Sequence, residues 1–123
     1  MKNSVIASKI YRSTKVNGGA TVDLKGRTPT SGYMYAPSKD TETIIESKNF
    51  NPQVISSFMN KNWRLLQEEG NHIGAWENEG NVFLDISKVG RPTPETIEEA
   101  RKCHQLAVYD LAQGKEIFIG SND

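Results

Sequence analysis

Two short loops hold the residue types best suited to chemistry. Residues 25–30 read KGRTPT and residues 89–93 read VGRPT, each placing an arginine directly after a glycine, with threonine and proline following. A glycine lets backbone amides come close to an anion. The guanidinium of Arg27 or Arg91 offers a fork of donors, and Thr28 or Thr93 adds a hydroxyl. The second loop also runs into a predicted helix N-terminus, where free N–H groups favour negative charge. Together with Lys39, these loops predict a pocket for a small phosphate-bearing ligand. Two polar loops that merely share a composition are the plain alternative.

A nucleotide needs a flat apolar surface for its base. Tyr33 and Tyr35 follow the first loop, and Trp76 and Phe83 lie in the central part of the chain. Any of the four could stack on a base, whereas Trp63 and Phe118 read as core or interface. Asp85 sits inside VFLDIS, a run too apolar for an acid without partners. It either accepts hydrogen bonds from the backbone or from Ser and Thr of residues 18–43, or it accepts from a ribose hydroxyl or an adenine amine. The candidate ligand-binding set is therefore Arg27, Thr28, Tyr33, Trp76, Phe83, Asp85, Arg91 and Thr93.

Catalytic constellations are weak by comparison. Cys103 and His104 are neighbours on a predicted helix and so point about 100° apart, which reads as a small buried thiol beside a half-buried imidazole. With His72 as the other histidine and one cysteine in the chain, no metal site is expected, and no cofactor is implied. Glu77 with Glu79, and Glu95 with Glu98 and Glu99, read as ordinary turn and first-turn acids. Asp40 and Glu42 in DTET could serve a transferase acting on a dinucleotide, but the further motifs of such enzymes are missing. The chain reads as a binding protein with no catalytic residues.

The totals agree. The sequence has 123 residues, 36% apolar and 24% charged, with fifteen basic and fifteen acidic side chains. That length forms one domain, 1–123, with a real core. A net charge of zero argues against a long nucleic acid partner, which needs a basic field, but not against a small anion held by a few local cations. The single cysteine fits a reducing compartment. The first residues lack an apolar run of signal-peptide length, and no window approaches a membrane span. The expected location is the cytoplasm.

These residues must be positioned by the elements around them. Residues 5–16, rich in β-branched and aromatic types, predict a first strand. The NGG at 17–19 then predicts a turn into a returning strand at 20–24. Short strands follow at 33–38 and 41–47. Residues 51–70 predict a helix, with Asn51 as N-cap, Pro52 in the first turn, and Val54, Ile55, Phe58, Met59, Leu65 and Leu66 on one buried face. Residues 72–89 predict a hairpin around Asn78, Glu79 and Gly80, with Val82, Leu84 and Ile86 on one side. A second helix spans 94–105, capped by Thr93, with Ile97, Ala100, His104 and Ala107 as its stripe, and a closing hairpin ends the chain. The order predicts an α+β fold: a mainly antiparallel sheet built from hairpins, with two helices packed on it. Exposed sheet edges are commonly covered by a copy of the same chain, so a homo-oligomer is expected.

The segments GGATVDL, PTSGYMYAPSKDTE, HIGAWENEGNVFLDISKV and QLAVYDLAQGKEI, covering roughly residues 8 to 119, resemble the Thoeris anti-defence sponge proteins of bacteriophages. That family captures the cyclic ADP-ribose signal made by a bacterial TIR enzyme and holds it without cleaving it. The resemblance implies a phage protein acting in the host bacterial cytosol. It would be an oligomer with ligand between subunits, using a cyclic nucleotide as its partner. Two other readings stay open: a protein-interaction or structural phage module with no nucleotide ligand, and an enzyme acting on an ADP-ribose dinucleotide.

Overall fold

Residues 5–16 form a helix and not the expected strand. In the computed structural model, which describes residues 2–120, helix α1 spans Asn3–Asn17 and buries Ile6, Ala7, Ile10 and Thr14. That three- and four-residue spacing puts all four on one helical face, which the two-residue period of a strand cannot do. Here tertiary burial outweighs the β-propensity of the branched residues. The NGG signal marks the end of this helix. Gly18 takes φ +85 and its N–H donates to Thr14 O, a left-handed cap suited to glycine. The N-terminal hairpin is thus replaced by a helix–strand unit.

The remaining elements follow the predicted order more closely. Strands β1 (Gly19–Val22), β2 (Tyr33–Tyr35) and β3 (Thr43–Glu46) lead through a single 3-10 turn to helix α2 (Pro52–Lys61) and a short α3 (Trp63–Leu66). Strands β4 (Asn71–Asn78) and β5 (Asn81–Gly90), helix α4 (Pro94–Lys102) and strands β6 (Ala107–Asp110) and β7 (Lys115–Phe118) complete the described chain. Among the described residues there are four helices where two were expected. Asn51 caps α2 as predicted, its side chain accepting from Val54 N–H. The predicted 51–70 helix breaks at Asn62, whose side-chain amide donates to Phe58 O and competes with helix propagation. The break turns Leu65 out to 38% exposure while Leu66 stays in the core.

The strands form one antiparallel sheet in the order β1-β4-β5-β2-β6-β7, with β3 also pairing β5. Val82, Leu84 and Ile86 share a face with Ile73, Ala75 and Val22, and Ile6, Ile10, Ile55, Phe58, Met59 and Leu66 pack onto them. A smaller cluster of Tyr35, Ala100, Val108 and Ile119 seats α4 on the same side. The helices therefore cover one face, and no described helix covers the other.

The outer edge of β5 pairs with β3 as far as Leu84 and with β2 from Lys88 onward. Residues 36–42 detour past the stretch between and leave an interruption in the sheet beside Ile86.

His104 also departs from expectation. It lies beyond the C-cap Cys103, at φ 62 and exposed, because α4 ends sooner than its apolar stripe suggested.

Candidate ligand-binding site

The bare face of the sheet assembles three of the eight expected residues. In the central hairpin Trp76 lies opposite Phe83 and Gly74 opposite Asp85. Strand alternation sends these side chains away from the core. The rings of Trp76 and Phe83 stack with centroids 4.9 Å apart and planes 19° apart. Trp76 keeps 48% of its surface exposed, so a flat wall remains available. Beside it lies a hollow of about 620 Å³ whose lining includes Thr21, Gly74, Trp76, Asp85, Ser87 and Tyr109.

Asp85 is the unusual member. Its Oδ1 accepts from the Ser87 hydroxyl at 3.3 Å. A side chain at Gly74 would begin 2.4 Å from that same oxygen, so glycine is needed there for the carboxylate to lie across the neighbouring strand. Burial pushes the Asp85 carboxyl above the usual range. The Ser87 hydroxyl opposes that rise, and the charge of Glu42 adds to it. The partner is thus Ser87 of its own strand, and not a Ser or Thr of residues 18–43. A half-buried carboxylate with one neutral partner can accept further hydrogen bonds from a ligand.

The glycine–arginine loops do not reach this wall. Asp23 Oδ1 accepts from the backbone N–H of Lys25 at 2.9 Å and of Arg27 at 2.8 Å, and Asp23 Oδ2 accepts from Arg27 Nε at 2.8 Å. The KGRTPT loop is an anion cradle as its composition suggested, and the anion it holds is its own aspartate. Burial pushes the Asp23 carboxyl upward, but the Arg27 amide and guanidinium and the Lys25 amide outweigh it and hold the group below its ordinary value. A depressed carboxylate stabilises the fold above the ordinary carboxylate range, and that stability is lost as pH falls through the depressed value. Arg27 is 69% exposed on its side chain, so Arg27→Ala is expected to cost less than about 1 kcal/mol. Asp23→Ala removes two charge-assisted bonds from backbone amides as well as the ion pair and should cost more, about 1–3 kcal/mol. Paired chemical-denaturation curves check that order.

Arg91 is exposed just past the end of β5. Along that strand Phe83 and Gly90 stand roughly 23 Å apart at about 3.3 Å per residue. The aromatic wall and Arg91 therefore occupy opposite ends of the sheet. Thr28 is exposed beside Arg27. The backbone of Thr93 holds the N-cap position of α4 without a side-chain capping bond. Tyr33 packs against the cluster under α4. Among the described residues no lysine or arginine lines the hollow, and its lining includes Glu116 as a second acid.

Sequence reasoning missed Thr21, Gly74, Ser87 and Tyr109. The usable signal was Gly74, since a glycine inside a strand marks close approach of another group. His72 is buried with Nδ1 2.8 Å from Gly70 O, a packed role. No group of three metal-ligating side chains and no helix long and apolar enough to cross a membrane occurs among the described residues. No family model, curated protein or solved structure matches the chain.

Proposed function

We propose that the protein captures, without cleaving, a cyclic ADP-ribose-type signalling nucleotide, holding its nucleoside end on the bare face of the sheet. The observation that carries this reading is the Asp85 carboxylate, turned across Gly74 into a hollow walled by Trp76. A base stacks on the exposed indole, and ribose hydroxyls or an exocyclic amine donate to Asp85. The lining is acidic and suits donors more than phosphates. The phosphates therefore turn outward, and the two-arginine clasp expected from sequence is not part of the proposal. In the phage setting that the resemblance suggests, holding the signal is enough to silence it. A second copy laid over this face would exclude water from the ligand.

Isothermal titration with cyclic ADP-ribose isomers, cyclic oligonucleotides and adenosine tests the reading, followed by heating the complex and analysing what is released. Capture predicts saturable binding and intact ligand. Release of a product makes the protein an enzyme. A second reading has its own support: Ile44 at 57% and Phe118 at 77% exposure lie on the same face, as a protein-docking surface would place them. Absence of heat with every nucleotide would favour it.

The raised Asp85 carboxyl gives a pH signature. Its protonated form is favoured in the folded state, so folding stability rises as pH falls from neutral through the folded value, and the gain is complete below the ordinary value. Asp85→Asn is expected to stabilise the protein at pH 7 and by much less in acid, while weakening capture. Melting curves across pH 4–8 check the sign.

A further inference from the structure

The interruption in the sheet opens a second cavity on the opposite, helix-covered face. Its volume is about 430 Å³, within the usual range for a small-molecule site. The detour after β2 supplies Pro37, Ser38 and Thr41, α3 supplies Leu65, β5 supplies Ile86 and Lys88, and the last turn of α4 supplies Lys102. Leu65, exposed by the helix break at Asn62, and Ile86, paired with Ile73 on its inner edge but with no strand on its outer edge, give the cavity an apolar wall.

Lys88 is the observation that points to a ligand. It is half-buried, and its stem lies across Gly70, with Cγ 3.5 Å and Cε 3.7 Å from where a Gly70 side chain would begin. Among the described residues neither Lys88 nor Lys102 forms an ion pair. Two carboxylates share the lining, Glu68 and Glu99. Glu99 accepts the Tyr35 hydroxyl at 3.2 Å. Burial first, and then the Glu99 charge, push that phenol up to about 12, so it stays a donor.

We propose that this cleft binds a small phosphate monoester with an apolar or aromatic body. Two ammonium groups from separate elements match the double charge of such a phosphate, and the Ser38 hydroxyl in the same lining accepts from Asp40 N–H at 3.1 Å and keeps its own proton to donate. The body rests on Leu65, Pro37 and Ile86. Glu68 and Glu99 disfavour a second anionic group and accept from a hydroxyl or amine on the ligand. This site lies behind the sheet, on the side away from Trp76 and Asp85.

Phenyl phosphate is the probe, with benzoate and benzyl alcohol as controls, read by amide chemical shifts of the full chain and by protection of Cys103, which lines the cleft, from alkylation. Saturable shifts at Leu65, Ile86, Lys88 and Cys103 are expected, with Cys103 protected. Lys88→Met and Lys102→Met keep the apolar stems and should each weaken phenyl phosphate binding about tenfold or more with little change in Tm. If Lys88→Met does not fold, Lys102→Met, an exposed position on α4, decides alone. Trp76→Ala should leave this affinity unchanged, which separates the cleft from the capture face. Shifts elsewhere, equal affinity for benzoate, no binding, or lysine variants that bind like the parent overturn the proposal.

Discussion

Trp76→Ala is expected to weaken capture of an adenine nucleotide by roughly 5- to 150-fold, the equivalent of about 1–3 kcal/mol for one base stacked on one aromatic ring. The indole is the exposed member of a stacked pair, with Phe83 behind it. Removing it deletes the outer wall and leaves the core under Leu84 and Ile73 untouched. Losing the aromatic pair should cost about 0.5–1.5 kcal/mol of stability, so the variant remains folded and the binding change can be read directly. Trp76→Phe should recover part of the affinity because it restores a π-face. Calorimetry on both variants, at one salt concentration, makes the comparison. Parent-like affinity in Trp76→Ala would remove the aromatic wall from the site and with it the proposed pose.

Gly32→Ala should have the largest effect on stability. Gly32 has φ +106, and a side chain there would begin 2.7 Å from Gly90 O and 2.9 Å from Val89 Cγ1. Its carbonyl also accepts from Leu111 N–H at 3.0 Å, so the backbone is held from two sides and has little room to relax. A left-handed backbone costs a non-glycine residue about 1–2 kcal/mol, and overpacking adds about 1–3 kcal/mol. The expected loss is about 2–5 kcal/mol, a fall in Tm of roughly 10–20 °C. Gly80→Ala is the control: its φ is +81, but nothing lies within 4 Å of an added side chain, so only the backbone cost applies. Equal melting temperatures for the two variants would show that the Gly32–Gly90 approach is looser than described.

The glycines of the two arginine loops illustrate how composition can be right and its purpose misread. Gly90 was expected to open a loop toward an anion, yet a side chain there would begin 2.7 Å from Thr96 Oγ1. It is glycine so that the first turn of α4 can pack against the end of β5. The KGRTPT loop does bind a carboxylate, but Asp23 supplies it, and no local pattern distinguishes an internal anion from an external one.

What the sequence determined by itself is the part written in short-range physics. The central hairpin with Val82, Leu84 and Ile86 inward, the Asn51 cap, the start of α4 at Pro94 and the closing hairpin all follow from alternation and capping chemistry. So does the antiparallel α+β class. Trp76, Phe83 and Asp85 were legible as a group because they share one hairpin, where a fixed register carries them to one face. Tertiary structure decided that residues 3–17 are helical, because the β-branched content of the segment and the spacing of Ile6, Ala7, Ile10 and Thr14 point to different elements, and the core surface that receives those four chooses between them. It alone placed Arg27 and Arg91 away from the aromatic wall. It also set Lys88 and Lys102 around one cavity, since they come from different elements and their separation depends on how strands far apart in the chain are ordered in the sheet.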